Sequence, residues 1–291
     1  MMKTNLLLLD SYNNIDNLIS LAFSFSRHYN SKLKIVYVFD FEWMRQSYMV
    51  GTAGPVDPSL VAVERNVRKE YEVAESKIKE VAAEYTQKHA VEIPYEVNVS
   101  EFNRIDVVND EWKKNKNLML IISTHQSYTE ASGGIIGYPN IVDHVRCPVL
   151  AIPEENTTIS IKKVLYATDY HEEDINALKH LYSYLSAGEN FHITVMHNTG
   201  TFDFNDKLKW VGMQELIKEE VSVENIDFRL ETDKEVEDGI QDYIDKFDPD
   251  LLVVLKEKKG FFKQIFSSSD TKSILARFKK PILVYHDKQE V

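Results

Sequence analysis

Two aspartates close apolar runs of nearly the same shape. Leu6 to Asp10 reads LLLLD and Val164 to Asp169 reads VLYATD. In an open α/β sheet, ligands meet the carboxyl ends of strands, so a carboxylate there is placed for chemistry. His125, in the loop expected after a fourth strand, could touch a phosphate or act as a base. His171, Glu172, Glu173 and Asp174 beside Asp169 are of metal-ligating types. Each has a plainer reading that the residues favour. His125 reads as a loop histidine, and acids in the first turn of a helix complement its dipole. His144, His192 and His197 fall on helix or strand positions and read as structural. Cys147 reads as a small buried residue. CxxC and HExxH are absent from the sequence, and no Ser, His and Asp stand at a spacing that places a triad.

The elements that would position these groups come in two rounds. In the first, strands are predicted at Asn5–Asp10, Leu33–Phe39, Ile93–Val99, Leu118–Ser123 and Cys147–Ile152. Helices are predicted over 16–29, from Pro58 to Tyr85, over 105–112 and over 138–145. Residues 40–60 carry Gly51, Gly54, Pro55 and Pro58 and read as a long loop. The long helix carries a stripe of Val63, Val67, Tyr71, Ala74, Ile78, Val81 and Tyr85. In the second round, strands are predicted at 162–168, 192–197, 226–231, 251–255 and 282–286, with helices over 172–186, 206–220, 234–247 and 269–278. CPVLAIP (Cys147 to Pro153) is echoed by KPILVYH (Lys280 to His286), and PEENTTIS (Pro153 to Ser160) is a polar linker. Repetition of this length predicts two similar α/β domains, 1–153 and 161–291, with parallel sheets and right-handed crossovers.

Composition narrows the class. At 291 residues, 43% hydrophobic and 27% charged, the chain fits two ordinary globular domains. Its apolar runs are strand-sized, far below a bilayer span. The net charge of −12 argues against wrapping nucleic acid. A single cysteine excludes an internal disulfide and fits a reducing compartment. The reading is a soluble cytoplasmic protein. Lysines and an arginine gathered between Lys256 and Lys280 read as solvated surface.

At this point the motifs carry a resemblance. LLLLD, VLYATD, CPVLAIPE leading into IKKVLYATDY, and DGIQDYIDKFDPDLLVVL (Asp238 to Leu255) resemble the domain starts and ends of a tandem universal stress protein, over nearly the whole chain. GFFKQIF (Gly260 to Phe266) is similar to one subgroup of such proteins. The resemblance implies an α/β fold of two doubly wound five-stranded parallel sheets, each ordered 3-2-1-4-5 and adenine nucleotide alpha hydrolase-like, packed as an internal pseudo-dimer. It implies a crevice where Asp10 meets the 123–137 loop and another where Asp169 meets the 256–269 loop.

In ATP-binding members the loop after strand four resembles G-x2-G-x9-G-[ST], whose amides and following helix N-terminus suit phosphates. Asp10, Val38 and Asp169 match the family's positions. Ser123-Thr124-His125-Gln126 stands where two leading glycines belong, while Gly133, Gly134 and Gly137 are kept in altered register. The second half has Leu255-Lys256-Glu257-Lys258, then Gly260, with Ser268-Ser269 in place of Gly-Ser. Ser132-Gly133-Gly134 has the letters of the ATP pyrophosphatase loop, but it follows strand four without that loop's continuation and reads as chance. The implied function is a non-enzymatic stress-response protein, a tandem binding or regulatory scaffold with degenerate nucleotide loops. The alternatives are a switch binding ATP or another adenine nucleotide in the first crevice, and a weak nucleotide or phosphate-ester hydrolase using His125 or an acid near Asp169. Val149–Ile152 and Ile282–Tyr285, as exposed apolar edges, are expected to pair within the chain. A further homodimer is left open and the sequence names no protein partner.

Overall fold

The fold was taken from a computed structural model. It describes residues 2–9, 14–38, 58–100, 103–124, 127–129, 135–153, 156, 159–188, 190–199, 202–221, 224–232, 236–256 and 278–287. The chain divides into two compact units, Met1–Cys147 and Pro148–Val291.

In the first unit, β1 (Thr4–Leu9), β2 (Lys32–Val38), β3 (Tyr95–Ser100) and β4 (Leu118–Ser123) run parallel in the order β4-β1-β2-β3. β1 and β4 are buried at every residue, as strands covered on both faces must be. α1 (Ile15–His28) joins β1 to β2 and packs on α2 (Pro58–His89), while α3 (Arg104–Lys114) leads into β4. α3 is capped by Asn103, whose side chain accepts from the Ile105 amide. Past Ile78 the stripe of α2 departs from the predicted one, and the side chains of Val63, Val67 and Tyr71 lie outside those described. Ala74, Ile78 and Ala82 are fully buried, whereas Val81 and Tyr85 are half-buried. Steps of four carry the contact line to Ala82, and Tyr85 stacks on Phe23 at 5.2 Å between ring centres. The predicted loop after β4 contains a short hairpin, β5 (Ser127–Thr129) with β6 (Ile135–Gly137), before α4 (Tyr138–His144).

The second unit holds β7 (Val149–Ile152), β8 (Lys163–Ala167), β9 (His192–Thr199), β10 (Ile226–Thr232), β11 (Leu251–Lys256) and β12 (Ile282–His286). Their order is β10-β9-β8-β11-β12-β7, and every neighbouring pair is parallel except β12 with β7. α5 (Glu173–Leu185) packs on α6 (Phe204–Glu220), and α7 (Val236–Phe247) lies against β9. Asp203 caps α6 in a reciprocal capping box with Asp206. The helix predicted over 269–278 lies outside the described residues but for Phe278.

The expectation of two five-stranded, wholly parallel sheets is corrected. The strands do not divide five and five: the strand closing the first half belongs to the second unit, whose sheet has six strands and is mixed at one edge. Val149, Leu150 and Ala151 face Val284, Leu283 and Ile282 in antiparallel register. Both strands are short and apolar, and each gives the other's edge groups a hydrogen-bonding partner.

Candidate functional site

The second unit shows how the carboxyl end of β8 is built. β8 carries Tyr166, and Thr168 and Asp169 follow it; α5 brings Asp174 back beneath them. The Tyr166 hydroxyl donates to Asp174 Oδ1 at 2.7 Å, and the Thr168 hydroxyl donates to Oδ2 at 2.6 Å. The His171 amide donates to the same Oδ2 at 3.0 Å. Asp174 is fully buried, and burial is the main reason its carboxyl is pushed up to about 6, against the pull of its two hydroxyl donors. Burial likewise raises the Tyr166 phenol well above its ordinary value. The first-turn acid is therefore a buried clasp between β8 and α5, not a surface group that complements the helix dipole. A signal for it was available in sequence: two hydroxyl residues alternating on one strand, with an acid six residues past the second.

Tyr170 stands beside this clasp with φ of 71°, a left-handed conformation that a tyrosine adopts at a cost. Its amide donates to the Thr168 hydroxyl at 3.0 Å, and its ring stacks on His197, 3.8 Å between centres. His197 Nδ1 donates to the Thr168 carbonyl at 2.8 Å, and burial lowers the affinity of this ring for a second proton. Trp210 of α6 closes the group, 6.1 Å from Tyr170 and 6.3 Å from His197. Asp169 is half-buried at this spot, with no hydrogen bond to its carboxylate among the described residues. Its charge adds to the forces raising Asp174. His171 Nε2 lies 3.9 Å from Asp287. Among the described residues no group of three or more His, Cys, Asp or Glu could hold a metal ion.

In the first unit, Val38 ends β2 and Ser123 ends β4, both buried, on either side of β1. These strand ends flank the end of β1 at Leu9. Gly137 is paired with Ser127 in the hairpin, so it closes a strand immediately before α4. Asp10, His125, Gly133, Gly134, Gly260 and Ser269 lie outside the described residues. Cys147 is fully buried, and burial pushes its thiol up to about 12. His144 turns its Nδ1 to the Asn140 carbonyl at 2.8 Å, and His192 pairs with Asp227 at 2.9 Å.

Residues 160–286 match the family model described as the universal stress protein family. Among solved structures, the chain is similar to a universal stress protein from Archaeoglobus fulgidus DSM 4304. The two are 13% identical, with 97% of this chain and 96% of that one covered and a TM-score of 0.62. It is also similar to a putative universal stress protein from Pseudomonas aeruginosa UCBPP-PA14, at 11% identity, with 98% and 93% covered and a TM-score of 0.52. At these identities the likeness is one of fold. A search of curated proteins gave no match. Among the described residues no helix is long and apolar enough to cross a membrane.

Proposed function

We propose that the whole chain is a tandem universal stress protein that acts without catalysis, as a binding or regulatory scaffold in the cytoplasm. In this reading the halves pair through Val149–Ile152 and Ile282–Tyr285 as an internal pseudo-dimer. The observation that supports the non-catalytic part is that the chain's own side chains fill the carboxyl ends of β8 and β9. Tyr170 is laid on His197 against Trp210, and Asp174 accepts three hydrogen bonds. A carboxylate so engaged is a poor general base, and a stacked ring pair stands at the carboxyl ends of β8 and β9, where a nucleotide base would enter. The family match over 160–286 supports the same reading for that half.

A second reading, an adenine-nucleotide switch in the first crevice, is favoured by one observation. The ends of β2 and β4, at Val38 and Ser123, flank the end of β1, which is the switch point where such sheets take ligands. Calorimetric titration of ATP into the full chain, with a phosphate-release assay beside it, separates these readings. The scaffold reading expects neither saturable heat nor release above background. Saturable heat lost in Asp10→Ala would establish the switch, and release lost in His125→Ala would establish the hydrolase.

A further inference from the structure

The sheet face beneath α7 carries a second feature, at the opposite end of the strands from the Asp169 crevice. His192 and Thr194 of β9 and Asp227 and Arg229 of β10 share this face, since Tyr243 of α7 bonds Thr194 and both Tyr243 and Phe247 lie under Arg229. Between the last turns of α7 and these strands opens a cleft of about 570 Å³, within the range of small-molecule sites.

Its lining carries more cations than carboxylates. The Arg229 guanidinium carbon lies 5.4 Å from the Tyr243 ring centre and 4.9 Å from that of Phe247, while Glu231 holds the Nε and Nη2 edge at 2.5 Å. Lys246 Nζ sits 5.2 Å over Phe247, with no carboxylate partner among the described residues. Lys163 donates to the Phe247 carbonyl at 2.8 Å. Three permanent cations thus line one small cleft. Asp227, the carboxylate among the lining residues, is already paired with His192. In a chain of net charge −12 this is a local inversion of sign. An arginine stacked on two rings and held from one edge by a carboxylate is a planar donor fixed before any ligand arrives.

We propose that this cleft binds a small oxyanion carried on a flat apolar body, an aryl phosphate or aryl carboxylate. The anion sits between Lys246 and Arg229, and the ring lies along the stack of Arg229 on Phe247. The first unit supplies an internal control. Counting in register from the paired strands, Lys34 stands where Thr194 does, and Glu111 where Tyr243 does. There Lys34 bonds Glu111 at 2.7 Å and Glu96 at 3.1 Å, so the equivalent place is occupied by acids already paired.

The test is titration of the nitrogen-15-labelled full chain with phenyl phosphate, followed by amide shifts, with inorganic phosphate in parallel. Saturable shifts over 227–231 and 243–248 are expected, at an affinity at least about fivefold above that of inorganic phosphate. Lys246→Gln, on an exposed helix position, should weaken binding about fivefold, and Arg229→Gln about tenfold. Shifts confined to Tyr170 and His197, an unchanged affinity in Lys246→Gln, equal affinity for inorganic phosphate, or no saturable shift would each overturn the proposal.

Discussion

The two halves repeat a backbone and disagree about what goes inside it. Counted from Asp10 and Asp169, Leu7, Leu9 and Ile15 of the first half correspond to Tyr166, Thr168 and Asp174 of the second. The first set is apolar and buried. The second set closes the turn from first strand to first helix with a buried carboxylate and two hydroxyl donors. Beneath the third helix the contrast is reversed. Lys34, Glu96 and Glu111 form an ion-pair cluster in the first half, where the second has the Thr194 hydroxyl accepting from Tyr243 at 2.8 Å. A fold of this kind needs each position filled and satisfied, but it accepts either chemistry if all partners change together.

That claim can be broken by changing one partner alone. The largest effect is expected from Asp174→Ile, which strands the Tyr166 and Thr168 hydroxyls and the His171 amide, at about 3–5 kcal/mol. Adding Tyr166→Leu and Thr168→Leu, which reproduces the first half's set, should recover more than half of the loss. Hydrogen exchange of β8 and α5 amides reads both effects locally. A triple variant no more stable than the single would show that the two sets are not interchangeable.

Next in size is a pH effect. Folded Asp174 keeps its proton to about pH 6, whereas in the unfolded chain it is released near 3.8. Its contribution is therefore full below about pH 4 and is lost as pH rises toward 6, on the order of 3 kcal/mol. His197, lowered from 6.5 by burial, works the other way and adds stability as pH rises through its folded value. Urea unfolding at stepped pH should show the falling limb in the native chain and only the His197 rise in Asp174→Asn. A falling limb retained in that variant would assign it to another group.

In the first half, Lys34→Thr leaves Glu96 and Glu111 without their shared cation and should cost about 2 kcal/mol. Burial alone would lower the Lys34 pKa, but its bonds to Glu111 and Glu96 outweigh that and raise it, so the pair is favourable in place. Lys34→Thr with Glu111→Tyr, importing the second half's hydroxyl pair, should restore most of the loss by the same exchange measurement. The smallest effect belongs to His192→Ala. Its pair with Asp227 is exposed on both sides, and less than about 1 kcal/mol is expected, vanishing in high salt.

The strands were legible because buried parallel strands read as apolar runs: Leu118–Ser123 and Ile282–His286 were found at their observed bounds. The antiparallel seating of Val149–Ile152 was not legible, since an apolar edge states that it will pair and not in which direction. The β5–β6 hairpin was hidden because strands of three residues are too short to show a period. By strand register Asn198 is the second half's equivalent of Val38, because Val36 pairs with Leu8 as Met196 pairs with Ala167. The clasp on Asp174 escaped because an acid in a first helical turn already has a sufficient local explanation. The hydroxyls of Tyr166 and Thr168 become a signal only when read together with that acid.

Native mass spectrometry of the freshly purified chain tests the scaffold reading most directly. The account predicts the mass of the polypeptide, alone or as a dimer, with no small adduct. An adduct of adenine-nucleotide mass, present in the native chain and missing in Asp10→Ala, would contradict it.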